Sequence, residues 1–106
     1  MQSLTGFAAQ LERRIQVVLR TQDADSLGVA ERENIAQLKK ALHEIKLDVR
    51  DYEYAETREE QLRWAKIGRH NLAAANALML RLDTVFGSAD VAEFGGVIDE
   101  LQAKLS

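Results

Sequence analysis

Ile35, Leu38, Leu42, Ile45, Val49 and Tyr52 recur at alternating steps of three and four, so they share one stripe of a single α-helix. Such a stripe is stable only against a partner surface. Upstream, Leu4, Phe7, Leu11, Ile15 and Val18 form a similar face, with Ser3 or Thr5 as N-cap and an end near Arg20 or Thr21. Residues 21 to 28, Thr-Gln-Asp-Ala-Asp-Ser-Leu-Gly, gather turn formers and predict a loop, with Asp or Ser capping a second helix that starts close to Leu27. Leu62, Ala65, Leu72, Ala75, Met79, Leu82 and Phe86 predict a third apolar face, and Ala73-Ala74-Ala75 permits close helix approach. Gly87 suits the C′ position that closes this helix, and Ser88 or Asp90 suits the next N-cap. Val91, Phe94, Ile98, Leu101 and Leu105 predict a short last helix, weakened at Gly95-Gly96 by about 1 kcal/mol per glycine relative to alanine.

The stretch between residues 27 and 86 admits two readings. Thr57-Arg58-Glu59-Glu60 has the form of a capping box, and the strict heptad carried past Tyr52 would put Glu56, Glu59, Arg63, Lys66 and His70 on the apolar face. Both features predict a break near residues 54 to 57. Against it, Glu53 to Gln61 contains no Gly, Pro or Asn, and a spacing of 3.6 from Ile35 lands on Trp64, Ile67, Ala75, Leu78, Leu82 and Val85. One merged helix would span roughly 58 residues and ~87 Å at 1.5 Å per residue, and would demand an assembly to cover it. The favoured expectation is an all-α, antiparallel bundle of about four helices in one domain, residues 1–106, with the second and third helices joined as a hairpin.

Composition narrows the class. The chain of 106 residues has no proline and no cysteine, is 46% hydrophobic and carries a formal charge of -3. Few helix breakers and many strong helix formers leave β-structure little support. Without cysteine there is no disulfide framework and no thiolate metal site. The net negative charge speaks against binding driven by phosphate neutralisation, so nucleic acid is not an expected partner. Met1-Gln2-Ser3-Leu4 lacks a basic segment followed by an apolar run, and nothing approaches ~18 consecutive apolar residues. The expected setting is the cytoplasm, with no membrane partner.

His43 is the sharpest candidate for chemistry, in Leu42-His43-Glu44-Ile45-Lys46. A ring nitrogen on a helix can accept a phosphoryl group while a lysine three residues on offsets developing phosphate charge. This short pattern resembles that of the histidine-phosphotransfer domains, which are four-helix bundles of similar length. Their pattern is a histidine, any residue, an apolar residue, a lysine and then a glycine. His43, Ile45 and Lys46 fit, whereas Leu47 stands in the glycine's place. In His70-Asn71-Leu72-Ala73-Ala74, Ala73 replaces the lysine. The plainer reading of both histidines is an exposed ring on a charged helix flank.

A ferritin-like di-metal site needs Glu-x-x-His, yet Lys40 and Ile67 lie three before the two histidines. Glu44, Asp48 and Asp51 follow one helical side and read as a solvated acidic face or a weak hard-cation site. No metal or other cofactor is expected. Arg63, Lys66, Arg69 and His70 form a basic counterpart, and a bend near residue 55 would bring Asp48 near Arg63 and Glu44 near Lys66. Tyr52 continues the seam, which leaves Tyr54 exposed or in contact with a partner; Trp64 presents the same choice, and the plainer reading of the two is partial burial against the first or last helix. Met79 reads as core filling.

No acid-base pair, nucleophile triad, phosphate loop or metal set is assembled by the motifs. The expected function is a non-catalytic interaction module that self-associates, a small regulatory, adaptor or scaffold protein. Tyr54, Trp64, Arg63, Lys66 and Arg69 are its candidate partner-binding residues. Phosphotransfer through His43 and Lys46 is the alternative.

Overall fold

A computed structural model describes residues 3–105, so Met1 and Gln2 of the opening segment and the final Ser106 lie outside the described residues. Four α-helices follow in order: α1 (Leu4–Arg20), α2 (Val29–Tyr54), α3 (Arg58–Arg81) and α4 (Ser88–Lys104). Among the described residues there is no strand. Neighbours in sequence pack on one another, and α4 also touches α1; the most extensive contact joins α2 and α3. The molecule measures 47 × 25 × 17 Å with a radius of gyration of 14.2 Å.

The predicted stripes supply the core. Leu11 and Ile15 of α1, Leu38, Leu42, Ile45 and Val49 of α2, Leu72, Ala75 and Met79 of α3, and Phe94, Ile98 and Leu101 of α4 are buried together. Each such side chain taken from water contributes about 1.5–3 kcal/mol, so the heptad pattern converts directly into cohesion between helices. Ser3 caps α1 by accepting from the Gly6 amide at 3.0 Å, and Thr57 caps α3 by accepting from the Glu60 amide at 3.1 Å. The chain therefore breaks at 55–57, where Ala55 and Thr57 adopt extended backbone angles and α2 and α3 are separate helices.

Four local expectations are corrected. The polar residues after α1 do not cap α2: Asp23 accepts from the Asp25 amide at 3.1 Å and Ser26 donates to the Asp23 carbonyl at 2.7 Å, closing a single 3-10 turn, Ala24–Ser26. The helix instead begins at Val29, and the Gly28 amide donates to the Glu31 carboxylate at 3.2 Å. At the other end α3 stops at Arg81, not Phe86: Leu82 leaves helical geometry at ψ 49°, and the Val85 and Phe86 amides turn back to its carbonyl at 3.0 and 2.9 Å, so Leu82, Val85 and Phe86 are buried in a turn and not in the helix. Gly87 is accordingly the N-cap of α4, its amide donating to Asp90 at 3.2 Å.

Third, Leu62 is 48% exposed and belongs to an outer side of α3. Fourth, the acidic and basic stripes do not meet as expected. Asp48 is opposite Asn71 and Gly68, whereas Arg63 and Lys66 are exposed. Asp48 faces α3 five to eight residues beyond the expected Arg63, roughly one and a half to two turns, which spares the fold from burying a guanidinium beside it.

Candidate interaction surface

Of the five residues singled out for partner binding, the helices leave three outward. Tyr54, the last residue of α2, is 79% exposed, and Arg63 and Lys66 project from α3. Trp64 is half-buried, and Arg69 donates from Nη1 to the Leu105 carbonyl at 2.7 Å, which ties α3 to the end of α4. Tyr52 behaves as the seam predicts: it is half-buried, and its hydroxyl donates to the Lys104 carbonyl at a long 3.4 Å.

Further apolar side chains lie outside the core. Leu80 is 56% exposed, and with Leu62 and Ile67 it makes the outer surface of α3 more apolar than solvent contact alone requires. Leu62, Ala73 and Leu80 are separated by 11 and 7 residues, a helical period, so they share one line along α3. That spacing was visible in the sequence, but it was masked by the stronger stripe that Leu72, Ala75 and Met79 carry into the core.

Around His43 the geometry is less assembled. The imidazole is exposed on α2 and Leu47, one turn on, is at the surface. The Lys46 ammonium lies 2.7 Å from the Glu12 carboxylate of α1, and Glu12 itself is buried. The cation meant to neutralise an incoming phosphate is thus already held by a carboxylate on the neighbouring helix. His70 is exposed on α3.

The supposed acidic face divides. Glu44 and Asp51 are half-buried, and Asp48 is only 7% exposed, accepting from Asn71 Nδ2 at 2.6 Å. Burial pushes the Asp48 carboxyl above its ordinary value, Glu44 and Asp51 add to the rise through like charge, and the Asn71 hydrogen bond offsets part of it. Among the described residues no three His, Asp or Glu side chains gather into a metal-holding group.

Two further carboxylates, neither of them a candidate from the sequence, fasten helix ends. Glu53 near the end of α2 accepts from the Leu4 amide at 3.2 Å, the Thr5 amide at 2.9 Å and the Thr5 hydroxyl, so a side chain distant in sequence caps α1. Burial raises its affinity for a proton, but the hydrogen bonds from Thr5 and Leu4 outweigh that and hold it below the ordinary value. Glu31 at the start of α2 accepts from the Thr84 hydroxyl and the Gly28 amide, which lower its pKa in that order. No local motif announces either clamp, because their partners lie 48 and 53 residues away.

Among the described residues no helix is long and apolar enough to cross a membrane. No protein family, no curated protein and no solved structure matches the chain.

Proposed function

We propose that this chain is a non-catalytic, cytoplasmic helical module that acts by protein association, chiefly with itself, as a small regulatory, adaptor or scaffold protein. One observation carries the reading: large apolar side chains remain outside a core that is already filled, with Tyr54 79%, Leu80 56% and Leu62 48% exposed. Aromatic and aliphatic residues bordered by Arg63 and Lys66 have the make-up of an interface, in which Tyr and Trp bring area at small cost in rotamer freedom. We further infer an up-down, antiparallel course of the helices, supported by Thr5 at the start of α1, which bonds Glu53 near the end of α2.

Sedimentation velocity from low to high micromolar concentration tests the reading. A mass that climbs toward two chains supports self-association, and a single-chain mass throughout removes it.

Phosphotransfer is the second reading, favoured by the exposure of His43. Incubation with a phosphodonor and a phosphorylated receiver domain separates the two. Acid-labile phosphate lost in His43→Gln supports it, and its absence in the unaltered chain ends it.

A further inference from the structure

The two helices that end the chain carry opposite charge. α3 holds five Arg or Lys residues against Glu59 and Glu60, both in its first turn, so that from Gln61 to Leu82 there is no carboxylate. α4 reverses the balance, with Asp90, Glu93, Asp99 and Glu100 against Lys104. These charges are only partly satisfied within the molecule. Asp90 is taken by the Gly87 amide, Glu93 by Arg14 and Glu100 by Lys104, while Arg63, Lys66 and Asp99 face solvent.

α3 and α4 are neighbours. Arg69 bonds the Leu105 carbonyl, Gln102 donates to the Arg69 carbonyl at 3.3 Å, and a Cβ placed on Gly95 would lie 3.7 Å from Asn76. The line of α3 that holds Leu62, Lys66, Ala73 and Leu80 runs along the side next to α4, since Arg69 and Asn76 border the same side. On α4, Ala92 and Asp99 lie seven residues apart on a common exposed side beside Gly95. One outer face therefore combines Leu62, Lys66 and Leu80 of α3 with Asp99 and small residues of α4.

We propose that this shared α3–α4 face pairs with the same face of a second copy, Lys66 of each chain meeting Asp99 of the other and Leu62 and Leu80 supplying the apolar contact. The proposal rests on the association reading above and names its surface and occupant. A two-fold pairing uses one patch twice, so it requires a patch that carries both halves of the complementarity, as this one does. Asp99 also decides against the other anionic occupants: a nucleic acid or an anionic membrane drawn to Lys66 would meet its carboxylate.

Reciprocal charge reversal tests it in the full-length chain. K66E sets a carboxylate against Asp99 of the other copy, and D99K sets an ammonium against its Lys66, so each variant alone sets like charge against like. Each is expected to weaken self-association by about 100-fold or more, and an equimolar mixture of the two to restore dimers, because the mixed pair is complementary at both contacts. Circular dichroism and thermal melting of each variant confirm that these exposed substitutions leave the fold intact. Leu80→Ser, which leaves the charge unchanged, is expected to weaken the dimer as well. Unaltered dimerisation in both reversal variants, or a mixture that stays single-chain, overturns the proposal while the association reading stands. A native chain that is single at every concentration overturns both. A single native chain that sediments with phosphatidylserine vesicles replaces the second copy with a membrane surface.

Discussion

The α2–α3 seam and the α1–α4 seam are built from different side chains, and they close to different degrees. Between α2 and α3, Leu38, Leu42, Val49, Leu72 and Met79 are at most 1% exposed, and Gly68 brings the backbones together until an added Cβ would lie 3.6 Å from that of Asp48. Between α1 and α4 a cleft of about 220 Å³ remains, lined by Phe7, Gln10, Leu11, Arg14 and Val97. That seam is closed by surface groups: the Arg14–Glu93 ion pair and the Lys104 ammonium, 4.5 Å from the centre of the Phe7 ring. Small residues let helices approach until water is excluded, whereas long charged side chains hold them apart and contribute weakly from solvent. α2 and α3 therefore approach each other closely, while α4 enters the same core through Phe94, Ile98 and Leu101 and leaves a cleft on its α1 side.

Truncation sets the scale of that contrast. Leu72→Ala, at zero exposure, is expected to cost about 2–5 kcal/mol in urea denaturation, and Phe7→Ala, at the half-buried α1–α4 seam, distinctly less. Equal losses would remove the distinction between the seams. Next in size, Gly68→Val is expected to cost about 1–3 kcal/mol, because the first added carbon already stands 3.1 Å from Leu105 Cδ1 and further methyls have nowhere to go. In the opposite direction, Gly96→Ala should raise stability by roughly 0.5–1 kcal/mol, since an added Cβ meets nothing within 4 Å and the helix loses a flexible residue. Thermal melting reads both glycine variants.

The smallest effect is a slope with pH. The Asp48 carboxyl holds its proton more tightly in the fold than in the unfolded chain, so its contribution to stability falls as pH rises from the unfolded value of about 3.9 through the raised folded one. Asp48→Asn should remove that slope and gain on the native chain with rising pH, as measured by denaturation at successive pH values. Glu53 works with the other sign: its pKa is lowered, so its contribution is present above the unfolded value and disappears as pH falls through the folded one. A variant that gains nothing between acid and neutral pH would show Asp48 to be adequately solvated.

Much of the architecture was legible in periodicity. Leu38, Leu42, Ile45 and Val49 of the stripe entered the core, with Ile35 and Tyr52 half-buried at its ends, as did Phe94, Ile98 and Leu101, because burial of a helix face imposes its period directly on the sequence. The Thr57 cap marked the α2–α3 break despite the absence of glycine or proline there. The site was far less legible. Tyr54 is exposed where the plainer expectation was partial burial, Arg69 turned inward to a backbone carbonyl and Leu62 turned outward. Such outcomes depend on which neighbour covers a flank, and a flank residue has the same spacing whether it is covered or bare.

The order of residues alone determined that the chain makes helices, where most of them begin, and which stripe each one buries, since capping and a 3.6-residue period are local properties of the backbone. Tertiary structure alone decided the offset that sets Asp48 against Asn71, the clamps that Glu53 and Glu31 place on distant helix ends, and the outer face that α3 and α4 share. Those features follow from how far two packed helices slide along each other before their side chains interlock. That distance is set by the shapes of both surfaces together and is written in neither one.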